Sequence, residues 1–169
     1  RGIHAVRVLE NEKSFDLNSL LAAAYDSQLP AFEPLIETLI ETAKEEQQSE
    51  KINAAINVLS TWDFRFSLES VETSLASFWA DELFRTALPL AASNKINIYD
   101  FLNDESAPLM LDALKEAIRL LESSFGHWLV PWGEVNRYQR NNGNIVQQFD
   151  DSLPSLPVAF ASSRWGSLA

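Results

Sequence analysis

The strongest constraint on the fold is the amphipathic pattern that begins at Pro108. Apolar residues recur there at spacings of three and four, which places them on one face of a helix; they are Leu111, Leu114, Ile118, Leu121 and Phe125. Proline fits a first helical turn, where its missing N–H costs little, and Gly126 suits a left-handed C-terminal cap. The pattern therefore predicts a helix that ends at Gly126 and buries one side.

Similar patterns recur along most of the chain and predict a mainly α fold, a helical bundle-like domain. Asp16 is a plausible N-cap, and Pro30 and Pro89 are expected to end the helices before them. The remaining predicted helices cover residues 2–10, 17–29, 31–44, 52–62, 67–88 and 97–103.

The character of the sequence changes after Arg140. Residues 141–144 read Asn-Asn-Gly-Asn, a strong turn signal. Residues 145–149 are consistent with a strand, and residues 158–169 read as extended. The sequence thus predicts a helical domain over residues 1–140 and a short β or coil segment over residues 141–169.

Composition limits the partners. The chain has 169 residues, enough for one domain with a real core, and a net charge of −11. This charge argues against nucleic acid and against an anionic membrane surface, because both require clustered lysine and arginine. Without cysteine there is no disulfide or thiolate chemistry.

The sequence gives little support for a metal or a cofactor. His4 and His127 are far apart and have no cysteine beside them, whereas a zinc site needs three or four ligands at characteristic spacings. Asp100, Asp104 and Glu105 lie close together, which leaves calcium open, but without EF-hand spacing. No glycine-rich phosphate loop or nucleophile elbow is present. We therefore expect no metal and no cofactor.

An aromatic turn follows the Pro108 helix. Trp128 and Trp132 either pack against the helices or line a pocket, and they are the candidate substrate-binding residues. Arg137 and Arg140 follow them and suit either a carboxylate or a structural salt bridge.

Four stretches of the chain match one known family in order. Residues 1–36 contain an Arg-led helix, a loop and a helix with the pair Tyr25-Asp26. Leu59, Trp62 and Asp63 form an L-x-x-W-D end to a later helix. Residues 128–140 (WLVPWGEVNRYQR) and residues 162–169 (SSRWGSLA) follow. Together these stretches resemble the penicillin acylase family of N-terminal nucleophile hydrolases; residues 128–140 resemble a segment of its acyl-homoserine-lactone and aculeacin acylase branch, and residues 162–169 resemble the lead into a central strand.

The resemblance implies an amide hydrolase with a larger α+β fold. An N-terminal serine attacks the amide, its own amino group acts as base, and a backbone amide and an asparagine stabilise the oxyanion. These groups would lie upstream of Arg1, so we expect an inactive internal fragment of the large (β) chain, with residues 141–169 leading into the missing catalytic sheet. Arg1 best matches an arginine that orients the active site, and Arg7 is the alternative match.

Other expectations follow from the same resemblance. The partners would be the rest of the hydrolase or a second copy bound through exposed apolar faces, and the parent would be periplasmic or secreted. The alternative is a stand-alone helical interaction module with no enzyme ancestry. A weaker alternative is a small-ligand domain that uses Trp128 and Trp132.

Overall fold

The computed structural model describes residues 1–10, 12–45 and 47–168, and it confirms a mainly α fold. These residues form eight helices, a two-stranded antiparallel sheet and one 3-10 turn. The elements are α1 Gly2–Glu10, α2 Leu17–Ala24, α3 Phe32–Ala43, α4 Glu50–Ser60, α5 Val71–Asn94, α6 Ile98–Asp104, α7 Ala107–Phe125, α8 Trp132–Val135, β1 Arg137–Tyr138, β2 Leu156–Pro157 and the 3-10 turn Ser163–Trp165. The division of the chain at residue 140 stays a prediction.

The core is centred on α5 and α7, with α3, α4 and α6 packed around them. The buried residues of α7 recur at helical spacing, as the sequence predicts, and include Leu114 and Leu121, both fully buried. Trp79 of α5 donates its indole N–H to Met110 O at 3.1 Å. Each fully buried leucine contributes about 1.5–3 kcal/mol. Gly126 ends α7 with a φ of 82°, in the left-handed region.

Helix α5 continues through Pro89 to Asn94, so the prediction that Pro89 ends this helix is wrong. Proline removes one helical hydrogen bond, the one to the carbonyl of Arg85. Arg85 and Pro89 are exposed, so water can hydrate that carbonyl. Buried Ala87 and Ala91 hold the helix against the core on both sides of the proline. Tertiary packing therefore outweighs the local preference.

Helix α2 ends at Ala24 and not, as predicted, near Pro30. The chain between them pairs with the segment that follows α4. Leu29 N donates to Phe64 O at 2.7 Å and Phe66 N donates to Ser27 O at 3.1 Å. These bonds give residues 25–31 partners outside a helix.

The predicted strand at residues 145–149 is also wrong. Ile145 is 100% exposed, and no strand lies beside it in the described part of the chain. The two strands lie on either side of this loop instead, with Arg137 opposite Pro157. The Gln139 side chain fixes the loop, since its Nε2 donates to Asp150 O and Leu153 O at 2.9 Å each.

The last segment is only partly extended. Residues 163–165 form the 3-10 turn, in which Trp165 is buried against Phe32 of α3 with ring centroids 5.4 Å apart. The prediction for Ala169 lies outside the described residues. Among the described helices, none combines the length and the apolar character that crossing a membrane requires.

Helices α1 and α2 place their apolar sides in solvent. The capping box of Asp16 and Ser19 starts α2, which has no buried residue. Their exposed large apolar residues are Ile3, Val6, Leu9, Leu17, Leu20 and Leu21, each at least half exposed. In α1 the buried residue is His4.

Candidate functional site

A cavity of about 560 Å³ lies where α1, the start of α3, α6 and the 3-10 turn meet. This volume is typical of small-ligand sites. Arg1, Glu33, Tyr99 and Trp165 are among the residues that line it, together with aliphatic side chains such as Leu35. The cavity thus combines an apolar wall with a few charged groups.

Three arginines line the cavity, and their charges are used differently. Arg7 Nη1 donates to both carboxylate oxygens of Glu33, at 2.7 and 2.9 Å, and is neutralised there. Arg164 lies 3.3 Å from Asp81, and its guanidinium stacks 4.5 Å above the Phe84 ring.

Arg1 is the remaining arginine, and its guanidinium binds a main-chain carbonyl. Its Nη2 donates to Leu168 O at 2.6 Å. Within residues 1–10, 12–45 and 47–168 it forms no ion pair with a carboxylate. It is therefore the cavity arginine best placed to bind an anion or a polarised carbonyl.

His4 lies next to the cavity and joins three distant parts of the chain. Its side chain is fully buried; its Nε2 is 2.9 Å from Asp26 Oδ1, and its Nδ1 is 2.9 Å from Gly166 O. Arg65 Nη1 lies 3.1 Å from the second oxygen of Asp26. Because both ring nitrogens are engaged, His4 is not free to act as a general base for the cavity-lining Ser163.

Asp26 is held ionised by its neighbours. Burial by itself raises the pKa of the Asp26 carboxyl. The hydrogen bond from the Gln28 N–H and those from Arg65 and His4 outweigh this effect, so the pKa lies below its usual range. The carboxylate is thus an acceptor for all three donors.

Residues 1–161 match the sequence model of one protein family, penicillin amidase. The chain belongs to the penicillin amidase family. The match covers nearly the whole chain and confirms the resemblance at the level of the family. The chain is therefore a penicillin-acylase-like member of a family of amidohydrolases. Comparison with curated proteins gives no match.

The aromatic turn of this penicillin amidase family member lies away from the cavity. Trp128 is half-buried against the core. Trp132 N donates to Ser70 O at 3.0 Å, and its indole N–H donates to Ala159 O at 3.0 Å. Neither tryptophan lines the cavity that contains Arg1. A substrate-binding role for Trp128 and Trp132 stays a prediction.

The arginines after the turn have different surroundings. Arg137 donates to Ser155 Oγ and Ser155 O, at 2.7 Å each, and anchors the two strands. Arg140 is exposed. In the described part of the chain, no group of three or more histidines and carboxylates is arranged to hold a metal ion.

From the sequence, Arg1 is predicted as a supporting residue and His4 is considered only as a metal ligand, so the two are not connected. The spacing of the polar residues in α1 could have connected them. Arg1, His4 and Arg7 recur at a spacing of three, which forms a polar stripe on the side of α1 away from Ile3 and Val6. Such a stripe places Arg1 and Arg7 on the same side of α1 as His4. The contribution of Arg164 follows from the fold alone.

Proposed function

We propose that this chain supports the substrate pocket of an amide hydrolase that removes acyl side chains, of β-lactam or acyl-homoserine-lactone type. In this proposal it is a piece of the large (β) chain, and the nucleophile and the oxyanion asparagine belong to another part of the enzyme. The support is the family match together with the resemblance of residues 128–140 to the acyl-homoserine-lactone acylase branch.

The observation that carries the proposal is the position of Arg1. Its guanidinium stands at the wall of a cavity of about 560 Å³ without a carboxylate partner among the described residues. A fixed cation in a partly enclosed site stabilises negative charge that develops on a carbonyl oxygen or holds a catalytic amide in place. Arg1 therefore has a supporting role, and Arg7 is less suited because Glu33 neutralises it.

The apolar faces of α1 and α2 support the second half of the proposal, in which the rest of the hydrolase is the partner. Ile3 is 70% and Leu17 73% exposed, although both helices are amphipathic. Tyr25 stacks on Phe160 with ring centroids 6.1 Å apart and extends this surface toward the 158–162 segment. Burial of such a surface against the catalytic part would stabilise both. A second copy of the chain is the competing partner.

A periplasmic or secreted location, and an antibiotic substrate such as a penicillin, belong to the same proposal. Both depend on the family resemblance. The stand-alone interaction module remains the second candidate, because the core around α5 and α7 is built from buried residues of this chain.

The test is acylase activity on penicillin G and on long-chain acyl-homoserine lactones. The chain alone should give no turnover, whereas the product of the uninterrupted reading frame should be active. Arg1→Ala in that product should lower kcat/KM by about 100-fold, in the range of losses seen when one stabilising donor is removed. Arg119→Ala on the exposed side of α7 is the matched control and should leave kcat/KM unchanged.

Three results would contradict the proposal. The first is turnover by the chain alone that is sensitive to point changes in it. The second is an active product in which Arg1→Ala has no effect. The third is an isolated chain that is monomeric and binds no hydrophobic dye, which would favour the interaction module.

A further inference from the structure

We propose that His4 is an imidazolium whose two N–H groups fasten α1 to the rest of the domain and thereby set the position of Arg1 at the cavity. The part of this inference that concerns Arg1 rests on the function proposed above. His4 is a positioning residue in this account, since both its nitrogens are occupied and it does not line the cavity.

Each neighbour of the His4 ring can only accept a hydrogen bond from it. Gly166 presents a carbonyl oxygen 2.9 Å from Nδ1, and a carbonyl only accepts, so Nδ1 must carry a proton. Asp26 presents Oδ1 2.9 Å from Nε2, and an ionised carboxylate also only accepts, so Nε2 must carry a proton. A neutral ring has one N–H and would set a lone pair against one of these oxygens.

The alternative is a protonated Asp26 that donates to His4. The surroundings oppose it, because the same Oδ1 accepts from the Gln28 N–H at 2.9 Å. The second oxygen lies 3.1 Å from the Arg65 guanidinium. A carboxyl with these donors is an acceptor, and its negative charge also compensates the buried charge of His4.

We call the two hydrogen bonds from the His4 ring, to Gly166 O and to Asp26 Oδ1, the clamp. The clamp matters because the other side chains of α1 make few buried contacts. His4 is the buried residue of this helix, and Ile3, Val6 and Leu9 face solvent. The contacts at either end, Arg1 with Leu168 O and the Arg7 ion pair, are exposed. Exposed ion pairs contribute about 0–1 kcal/mol. The buried charged hydrogen bonds of His4 therefore decide where α1, and Arg1 at its start, can lie.

The first test is nitrogen NMR of the histidine rings near neutral pH. The chain has only two histidines, and the exposed His127 is an internal reference. We expect both His4 nitrogens to show the shifts of protonated nitrogens, and each proton to be protected from exchange. One His4 nitrogen with the shift of an unprotonated imidazole nitrogen would overturn the proposal.

The second test uses three variants at the same position. In His4→Asn the amide nitrogen can still donate to Gly166, in His4→Gln it can still donate to Asp26, and His4→Phe keeps neither donor. We expect amide exchange in α1 to accelerate by about tenfold in the first two, the factor that corresponds to one charged hydrogen bond, and further in the third. Exchange in α7 should not change.

His127→Gln is the matched control and should leave α1 exchange as it is. Equal exchange in all three His4 variants and the natural chain would overturn the proposal. If His4→Phe fails to fold, the ring shifts of the natural chain and the two amide variants still decide the question.

The link to Arg1 is tested in the active hydrolase of the proposed function. His4→Phe should lower kcat, and the Arg1→Ala/His4→Phe double variant should be no slower than Arg1→Ala alone, because both changes remove the same contribution. An additive loss would show that His4 does not act through Arg1. A hydrolase without acylase activity would refute the proposed function and leave the NMR and exchange results to judge the clamp.

Discussion

Helices α1 and α7 are both amphipathic, but they dock in opposite ways. α7 turns Leu114, Leu121 and the rest of its apolar stripe into the core. α1 turns His4 inward and leaves Ile3 and Val6 in solvent. Periodicity shows which side of a helix is apolar, and it does not show which side faces this domain.

The two kinds of docking respond to different conditions. The apolar contact of α7 depends on packing, so it involves no charge that protonation removes or that ions screen. The contact of α1 depends on charged hydrogen bonds at Asp26 and on the Arg7–Glu33 pair, so it responds to protonation and, at its exposed end, to ionic strength.

The largest effect is expected in α7. Leu114→Ala should lower the free energy of unfolding by about 2–5 kcal/mol, because it leaves a cavity in a closed core. Val6→Ala on α1 should change it by less than about 0.5 kcal/mol, because Val6 is 52% exposed. Urea unfolding of both variants checks this. Equal losses would mean that α1 is packed through its apolar side.

The second-largest effect is expected at Gly166, whose carbonyl oxygen accepts a hydrogen bond from His4. Gly166 has a φ of 110°, and a Cβ there would lie 2.6 Å from Pro30 Cδ. Gly166→Ala should cost about 1–3 kcal/mol through strain and should loosen α1 by displacing the carbonyl. Gly143→Ala is the control, since nothing lies within 4 Å of its Cβ position. Thermal unfolding measures the loss of stability, and amide exchange measures the loosening of α1. A Gly166→Ala variant as stable as the natural chain would contradict the prediction.

The pH dependence comes third. The pKa of Asp26 is lower in the folded chain than the value of about 3.9 expected when unfolded. Its stabilising contribution is therefore complete above about pH 5 and is lost as the pH falls through the folded pKa. The natural chain and Asp26→Asn should differ in stability at neutral pH and converge in acid. A difference that stays constant through the acid range would show that Asp26 is not stabilised as a carboxylate.

The smallest effect on stability is expected on α2. Leu20→Ser should change the free energy of unfolding by less than about 0.5 kcal/mol, because Leu20 is 50% exposed. It should nevertheless weaken self-association or assembly with the rest of the hydrolase. Sedimentation of the natural and variant chains measures this. A large loss of stability would mean that α2 packs within the domain.

Sequence reasoning predicted helix boundaries well where a cap is present, as at Gly126 after α7 and at Asp16 before α2, whereas it placed the end of α2 too late. It failed at Pro89, where buried alanines hold the helix through a proline. It also failed at Ile145, because no strand among the described residues pairs with this apolar segment.

The sequence predicts only part of the candidate site, because most of the contacts in this site join residues that are far apart in the chain. Arg1 was singled out through a family resemblance, whereas the network around His4 joins residues far apart in the chain. Asp26 and Gly166 come near His4 only after the helices have packed. The local sequence pattern of a helix contains no information on its contacts with such distant residues.

The bond between His4 and Gly166 closes a loop of 162 residues. Contacts of such high sequence separation carry a large entropic cost and form once shorter loops have closed. We therefore expect α1 to join the domain in the last step of refolding and to detach in the first step of unfolding. Stopped-flow experiments should show a late phase that His4→Phe removes and Leu114→Ala leaves in place.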